Sequence, residues 1–321
     1  MTRTPRMAVR IVSLVALLSL TAWAAAQQSV VQPGQAGGVL PRRPVVRAAG
    51  QQRPVPIRAP FILTPQQQQF LDKMLAAWER RSDQIKKFQC KFKRWEYGAA
   101  FGPRGPKGRL NAHTISDGEI RYAQPDVGMM RVKNKTVWNQ RANGGKGGFI
   151  PFKGDPGEHW VCDGKAVYSL DAEAKEVIEH ILPPEMQGKA ISDGPLPFLF
   201  GAKADRLRAR YFMRENTDPK FASKEIWLEA YPRKRRDAAN FTRVQLIMTR
   251  EDFLPYALRV YLPGGKDFVV YEFTDIGINS PFMRKPKAPA TPRGWKRVVT
   301  QPPQAAKPDA RNAGASRKAP R

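Results

Sequence analysis

From residue 70 the apolar side chains recur every three or four positions, at Phe70, Leu71, Met74, Leu75 and Trp78. That spacing predicts an amphipathic helix. Thr64-Pro65-Gln66-Gln67 marks its start: Thr64 caps, Pro65 suits the first helical position, and Gln67 completes a capping box. The helix is expected to end near Arg81. The period then drops to two. In FQCKFKRW, Phe88, Cys90 and Phe92 fall on one face, and Gln89, Lys91 and Lys93 on the other. That alternation predicts a half-buried strand.

Strand-like segments follow over 109–122 and 129–138, after the turn-rich FGPRGPKG (101–108). NGGKGG (143–148) breaks the pattern; its glycines around a lysine suggest a phosphate loop, but no Ser/Thr and no helix follow, so a hairpin loop is expected. Residues 160–162 and 166–170 predict two strands joined at Asp163-Gly164, and 177–182 a third. Residues 202–208 suit one or two helical turns. Strands are then expected over 209–214, 224–230, 241–249, 256–262 and 267–275, the last two joined by LPGGKDF. One helix and about ten strands with short connections predict a mainly β, α+β chain built on a curved antiparallel sheet or barrel.

GPLPFLFG (194–201) fits neither period. Pro195 and Pro197 forbid an ordinary helix start, and Leu196, Phe198, Leu199 and Phe200 are too apolar for water. Such a plug suits filling the core.

Composition adds an address. Arg3, Arg6 and Arg10 precede an apolar run over 11–23, and Ala24-Ala25-Ala26 follows. This predicts a signal peptide over 1–26, cleaved before Gln27, and a periplasmic or secreted chain. The formal charge of +27 is concentrated at the ends: residues 1–60 hold eight Arg and no acid, and 284–321 hold eleven Lys/Arg and one Asp. These ends are poor in aromatics and rich in Pro, Ala, Gly and Gln. A disordered linker over 27–60, a folded domain over 61–283 and a disordered tail over 284–321 are therefore expected. The tails suit solubility and tethering, or attraction to an anionic polymer or membrane surface. YPRKRRDAANF adds a basic loop at Arg233, Lys234, Arg235 and Arg236.

Catalytic signatures are missing from the sequence. There is no G-x-S-x-G, no H-E-x-x-H and no Gly-rich strand–helix fingerprint. His113, His159 and His180 fall at unrelated points of the strand pattern, and with two cysteines they make no metal-ligand spacing. Asp163 and Asp117 each stand before a glycine and read as turn residues. No enzyme activity, cofactor or metal is expected. The basic residues lie mainly in the ends, with no nucleic-acid reader fold, so no nucleic-acid partner is expected.

FQCKFKRW after an amphipathic helix, then GEIRYAQPDVGMMRV, WVCDGKAVYSL and PLPFLFGA, resembles the order of elements in the periplasmic lipoprotein carriers (LolA/LolB-like) over residues 64–283. The chain resembles still more closely an exported domain family of planctomycete bacteria, of unestablished activity, with similar WVCDGKAVY, GPLPFLFGA and YPRKRRDAANF stretches. The carrier resemblance implies an incomplete half-barrel with helices across its mouth and a cavity for a lipid or lipoprotein acyl chain. It implies cavity positions at Leu75, Trp78, Phe88, Phe92, Phe198, Leu199 and Phe200, with the plug as a short lid helix. One departure is Gln124 before Pro125, where the carriers commonly have a lid-holding arginine.

Two functions from different classes follow. One is a non-enzymatic carrier or sensor of an acyl chain. The other is an envelope interaction protein whose tails and 233–236 loop meet anionic polymer or a protein partner. A monomer is expected in either case. Cys90 and Cys162 are expected to be buried. A bridge between them would close a loop of about 70 residues, worth roughly 4 kcal/mol; two free thiols are the alternative.

Overall fold

The computed structural model describes residues 57–189, 191, 198–199 and 203–301. The expected signal peptide and its cleavage site, most of the 27–60 linker, the last part of the tail, and residues 192–197 and Phe200 of the plug lie outside the described residues.

Helix α1 (Pro65–Asp83) begins as its sequence dictates: Thr64 Oγ1 accepts from Gln67 N, and Thr64 N donates to the Gln67 side chain. Its buried face carries Leu71, Met74, Leu75 and Trp78. Strands β1 (Lys87–Tyr97), β2 (Thr114–Ala123) and β3 (Val127–Asn139) follow, and the short β4 (Gly148–Pro151) pairs with the second half of β3. Next come β5 (His159–Cys162), β6 (Ala166–Asp171) and β7 (Glu176–Ile181). The remainder is α2 (Ala204–Arg210), β8 (Tyr211–Glu215), β9 (Glu225–Pro232), the single turn α3 (Arg235–Ala238), β10 (Arg243–Thr249), β11 (Pro255–Tyr261), β12 (Phe268–Ile278) and β13 (Lys296–Thr300).

The strands form one thirteen-stranded sheet in the order β13-β7-β6-β5-β3-β2-β1-β12-β11-β10-β9-β8, with β4 beside β3. Every pairing is antiparallel except β13 with β7. The two end strands do not pair with each other, so the curved sheet is an open half-barrel, with α1 and α2 packed at its β8 side. One continuous core fills the concave face, from Cys162 and Met130 through Phe88 and Phe92 to Tyr211 and Leu246. Gly118 belongs to this packing: a Cβ there would stand 2.8 Å from the Phe92 ring and 2.0 Å from the Arg131 carbonyl oxygen.

The sheet runs past residue 283, where the sequence pattern ends the domain. Met283 is buried, Trp295 packs against Val161, Ala166, Tyr168 and Val177 on the outer face of the β5–β7 wing, and β13 lines the edge. Arg297 locks this segment, pairing with Glu179 at 2.8 Å and lying over the Tyr168 ring. KRVVT carries no strand signal of its own: it is short, lies in a stretch rich in prolines and lysines, and is exposed along its length.

Candidate functional site

The expected cavity positions are brought together. Leu75, Trp78, Phe88, Phe92, Phe198 and Leu199 all belong to the one concave core, and none is more than 3% exposed. Phe198 packs on Tyr211 with ring centroids 5.0 Å apart. The described part of the plug, Phe198 and Leu199, is thus part of the core.

The alternation in FQCKFKRW carries one residue further than its apolar members. Arg94 shares the inner face with Phe88, Cys90 and Phe92 and is 2% exposed. Its guanidinium grips Glu158, ahead of β5, with two bonds of 2.5 and 2.7 Å, and reaches Glu96 at 2.9 Å. Burial alone would depress the Arg94 pKa; the Tyr271 phenol, Glu158 and Glu96 outweigh it and hold that pKa above its ordinary value. Tyr271 lies beside the guanidinium across the β1–β12 ladder and Ser116 across the β1–β2 ladder. Burial raises the Tyr271 pKa in turn. The period-two pattern was the signal for this interior cation; its partner Glu158 had none.

Cys90 and Cys162 are both buried and free. No bridge joins them, contrary to the pairing the sequence left open. Cys90 registers with Ile120, Ile120 with Met130, and Met130 with Trp160, so the sulfurs stand three strands and two residues apart. Three strand spacings are about 14 Å, twice the reach of a disulfide. Burial pushes both thiols up to about 12.

Asp163 behaves as a turn residue: Oδ1 accepts from Lys165 N and Ala166 N at 2.9 Å each. Asp117 accepts from Asn134 Nδ2. Among the described residues no group of three or more His, Cys, Asp or Glu could hold a metal ion.

The basic loop at 233–236 is partly a helical turn, α3, and partly a clasp. Arg233 lies 4.0 Å over the Phe212 ring and donates to the Tyr211 carbonyl oxygen at 3.0 Å. Asp237 is buried and pairs with Arg210 at 3.1 Å. Arg233, Lys234 and Arg235 remain exposed at the surface.

The topology gives this loop neighbours that sequence order hides. Antiparallel pairing places the β1–β2, β3–β4, β9–β10 and β11–β12 connections at the same end of the sheet, side by side in the strand order. They touch: Ala99 N donates to Asp267 at 2.7 Å, Trp138 N to the His113 carbonyl oxygen at 2.8 Å, and Thr242 Oγ1 to the Leu262 carbonyl oxygen at 3.4 Å. This rim gathers Arg104, Lys107 and Arg109, then Arg141 and Lys146, then the 233–236 cluster and Lys266. Its acids are Asp237, committed to Arg210, and Asp267, which accepts from Ala99 N. The opposite end mixes signs, with Asp126, Asp163, Asp218, Glu251 and Asp252 against Lys165, Lys220, Lys224 and Arg250. The β6–β7 turn lies at this end too and sets Asp171 and Glu173 against Lys175, so the excess of cations belongs to the four adjacent connections, and that rim is the candidate functional surface.

No protein-family model and no curated protein matches the chain. Several solved structures are similar to it. A conserved protein of Thermus thermophilus aligns with 71% of this chain and 98% of its own, at 8% identity and a TM-score of 0.37. A LolA superfamily protein of Nitrosomonas europaea aligns over 65% and 94%, at 10% identity and a TM-score of 0.30. A chain of the MucA/MucB complex of Pseudomonas aeruginosa aligns over 66% of this chain and 58% of that one, at 14% identity and a TM-score of 0.32.

Proposed function

We propose that this is an exported, non-catalytic envelope protein: a packed half-barrel that presents basic surface to an anionic polymer or acidic protein partner. The observation that carries the reading is the pairing of a filled concave face with a one-sided rim. Trp78 and Phe88 at 1% exposure and Phe92 and Phe198 at 2% belong to one core, while Lys107, Arg109, Arg141, Lys146, Lys234 and Lys266 of four adjacent connections are exposed. Solvated like charges repel, and a chain that gathers them at one end gains nothing in folding stability from doing so. Their use lies in meeting an opposite charge. The apolar 11–23 run after Arg3, Arg6 and Arg10 supports export, and the basic termini would add to the same attraction.

The acyl-chain carrier is the second reading, favoured by the open concave sheet with α1 and α2 packed against it. It requires Phe198 and Leu199 to leave the core so that a chain can enter. Native mass spectrometry of protein purified from its own envelope separates the two. The proposed reading gives the bare chain mass; a lipid retained at one per chain overturns it in favour of the carrier.

A further inference from the structure

The rim carries more than charge. Between β1 and β2 the chain makes a tight turn, in which Gly102 N donates to the Gly98 carbonyl oxygen at 2.8 Å. Phe101 sits in that turn and is 100% exposed. The turn is built: a Cβ at Gly102 would stand 2.2 Å from the Gly98 carbonyl oxygen, so only glycine closes it. The chain then forms a small hairpin, with Arg104 bridged to Leu110 and Lys107 at its tip. On the adjoining β3–β4 edge, Phe149, Ile150 and Phe152 are 38%, 37% and 43% exposed. Fully exposed phenylalanine among cations has no folding role. It is the composition of elements that seat in the headgroup layer of an anionic bilayer, where apolar side chains enter the acyl boundary and Lys/Arg meet phosphate.

We infer that the rim is a membrane-docking surface, with Phe101 entering an anionic phospholipid bilayer and Lys107, Arg109, Arg141 and Lys146 on its headgroups. The inference rests on the anionic-partner reading and goes beyond it in making that partner a bilayer surface. Lipid is favoured over an anionic polymer by the apolar side chains: a polymer satisfies the cations but leaves Phe101 and Ile150 wet. The connections lie side by side at the sheet end and hold one another by the Ala99–Asp267 and Trp138–His113 bonds, so they can meet one surface together. Deep insertion is not needed; one aromatic and several cations give reversible adhesion that weakens with salt.

The test places a reporter at the tip. Phe101→Cys in the full chain is labelled with an environment-sensitive fluorophore; Cys90 and Cys162 are buried with thiols near 12, so the label goes to position 101. A Lys220→Cys protein labelled at the opposite sheet end is the control. Vesicles with and without phosphatidylglycerol and a soluble anionic polysaccharide are titrated against both. A blue shift and quenching by brominated lipid at position 101 alone, on anionic vesicles alone, is the expected result. Unlabelled Phe101→Ser should lose about tenfold in vesicle affinity, the worth of one buried aromatic. Binding to anionic vesicles with no response at 101 overturns membrane docking by the rim and leaves adhesion by other cations. Binding to the polysaccharide and not to vesicles overturns the inference and leaves the parent reading standing. Binding to neither overturns the inference and the polymer form of the parent reading, leaving an acidic protein partner.

Discussion

Arg94 and Glu158 form a two-pronged ion pair inside the concave core, with both side chains 3% exposed and oxygen–nitrogen distances of 2.5 and 2.7 Å. The pair ties β1, near the middle of the sheet, to the chain entering β5, where the wing begins. Between them lie β2 and β3, so one interaction spans three ladder steps of an open sheet. An incomplete barrel has no strand closure to resist splaying, and this link resists it from within.

Breaking the pair from one side strands a charge in the core. Arg94→Met, which leaves Glu158 buried without its cation, should lower the unfolding free energy by about 3–5 kcal/mol, read from urea midpoints; Glu158→Gln should cost less, because Glu96 still pairs with Arg94, and the double variant Glu158→Leu/Arg94→Met should lose less than Arg94→Met alone. Additive losses would show that the two residues act independently.

Phe198 is a core residue by position, wedged against Tyr211. Phe198→Ala should cost about 3–5 kcal/mol of stability. A lid resting over an empty cavity would lose far less, so an unchanged midpoint would restore the lid role to the plug.

Thiol counting on denatured, unreduced protein should give two titratable thiols, because Cys90 and Cys162 are free and three strands apart. The folded protein should show none reacting quickly, since burial holds both near 12. A denatured count of zero would require a different strand order.

Stability should fall with pH in two stages. Burial depresses the pKa of His159 and His180 below the ordinary 6.5, and Arg131 adds to the effect at His159. The unfolded chain therefore takes up protons first, so their contribution is full above 6.5 and is lost as pH falls through the folded values. Glu229 and Glu119 come next. Burial would raise both, but Arg214, Gln245 and Arg243 at Glu229, and Lys133 and Arg121 at Glu119, hold them below the ordinary 4.5. Their contribution is present above that value and is lost as pH drops through the depressed one. Denaturation midpoints from ~pH 8 to ~pH 3 check both limbs. Replacing both histidines by Asn should erase the first limb and leave the second.

The strand pattern was legible where one face is buried and the other wet. Phe88, Cys90 and Phe92 alternate with Gln89, Lys91 and Lys93, and the sheet follows them. The capping box at Thr64 and Gln67 fixed the start of α1 for the same local reason. What escaped depends on partners distant in sequence. β13 exists because β7 offers an edge, and its own residues are exposed. Glu158 is buried because Arg94 is there to meet it. The cysteines look pairable along the chain and are separated only by the strand order. The rim is the largest such case: only 233–236 reads as a basic loop in the sequence, and 104–109, 141–146 and 266 join it once antiparallel pairing sets their strands side by side.

The central claim is that adhesion to an anionic envelope partner runs through this rim on a packed scaffold. The direct measurement is co-sedimentation of the full chain with anionic envelope fractions across a salt series, beside Lys107→Glu/Arg109→Glu/Lys146→Glu and a chain ending at Gln301, which keeps β13. Wild-type binding should weaken steeply with salt, the triple variant should lose most of its low-salt binding, and the shortened chain should keep more than the triple variant does. Binding that ignores salt, or a triple variant that binds like wild type, would contradict the account.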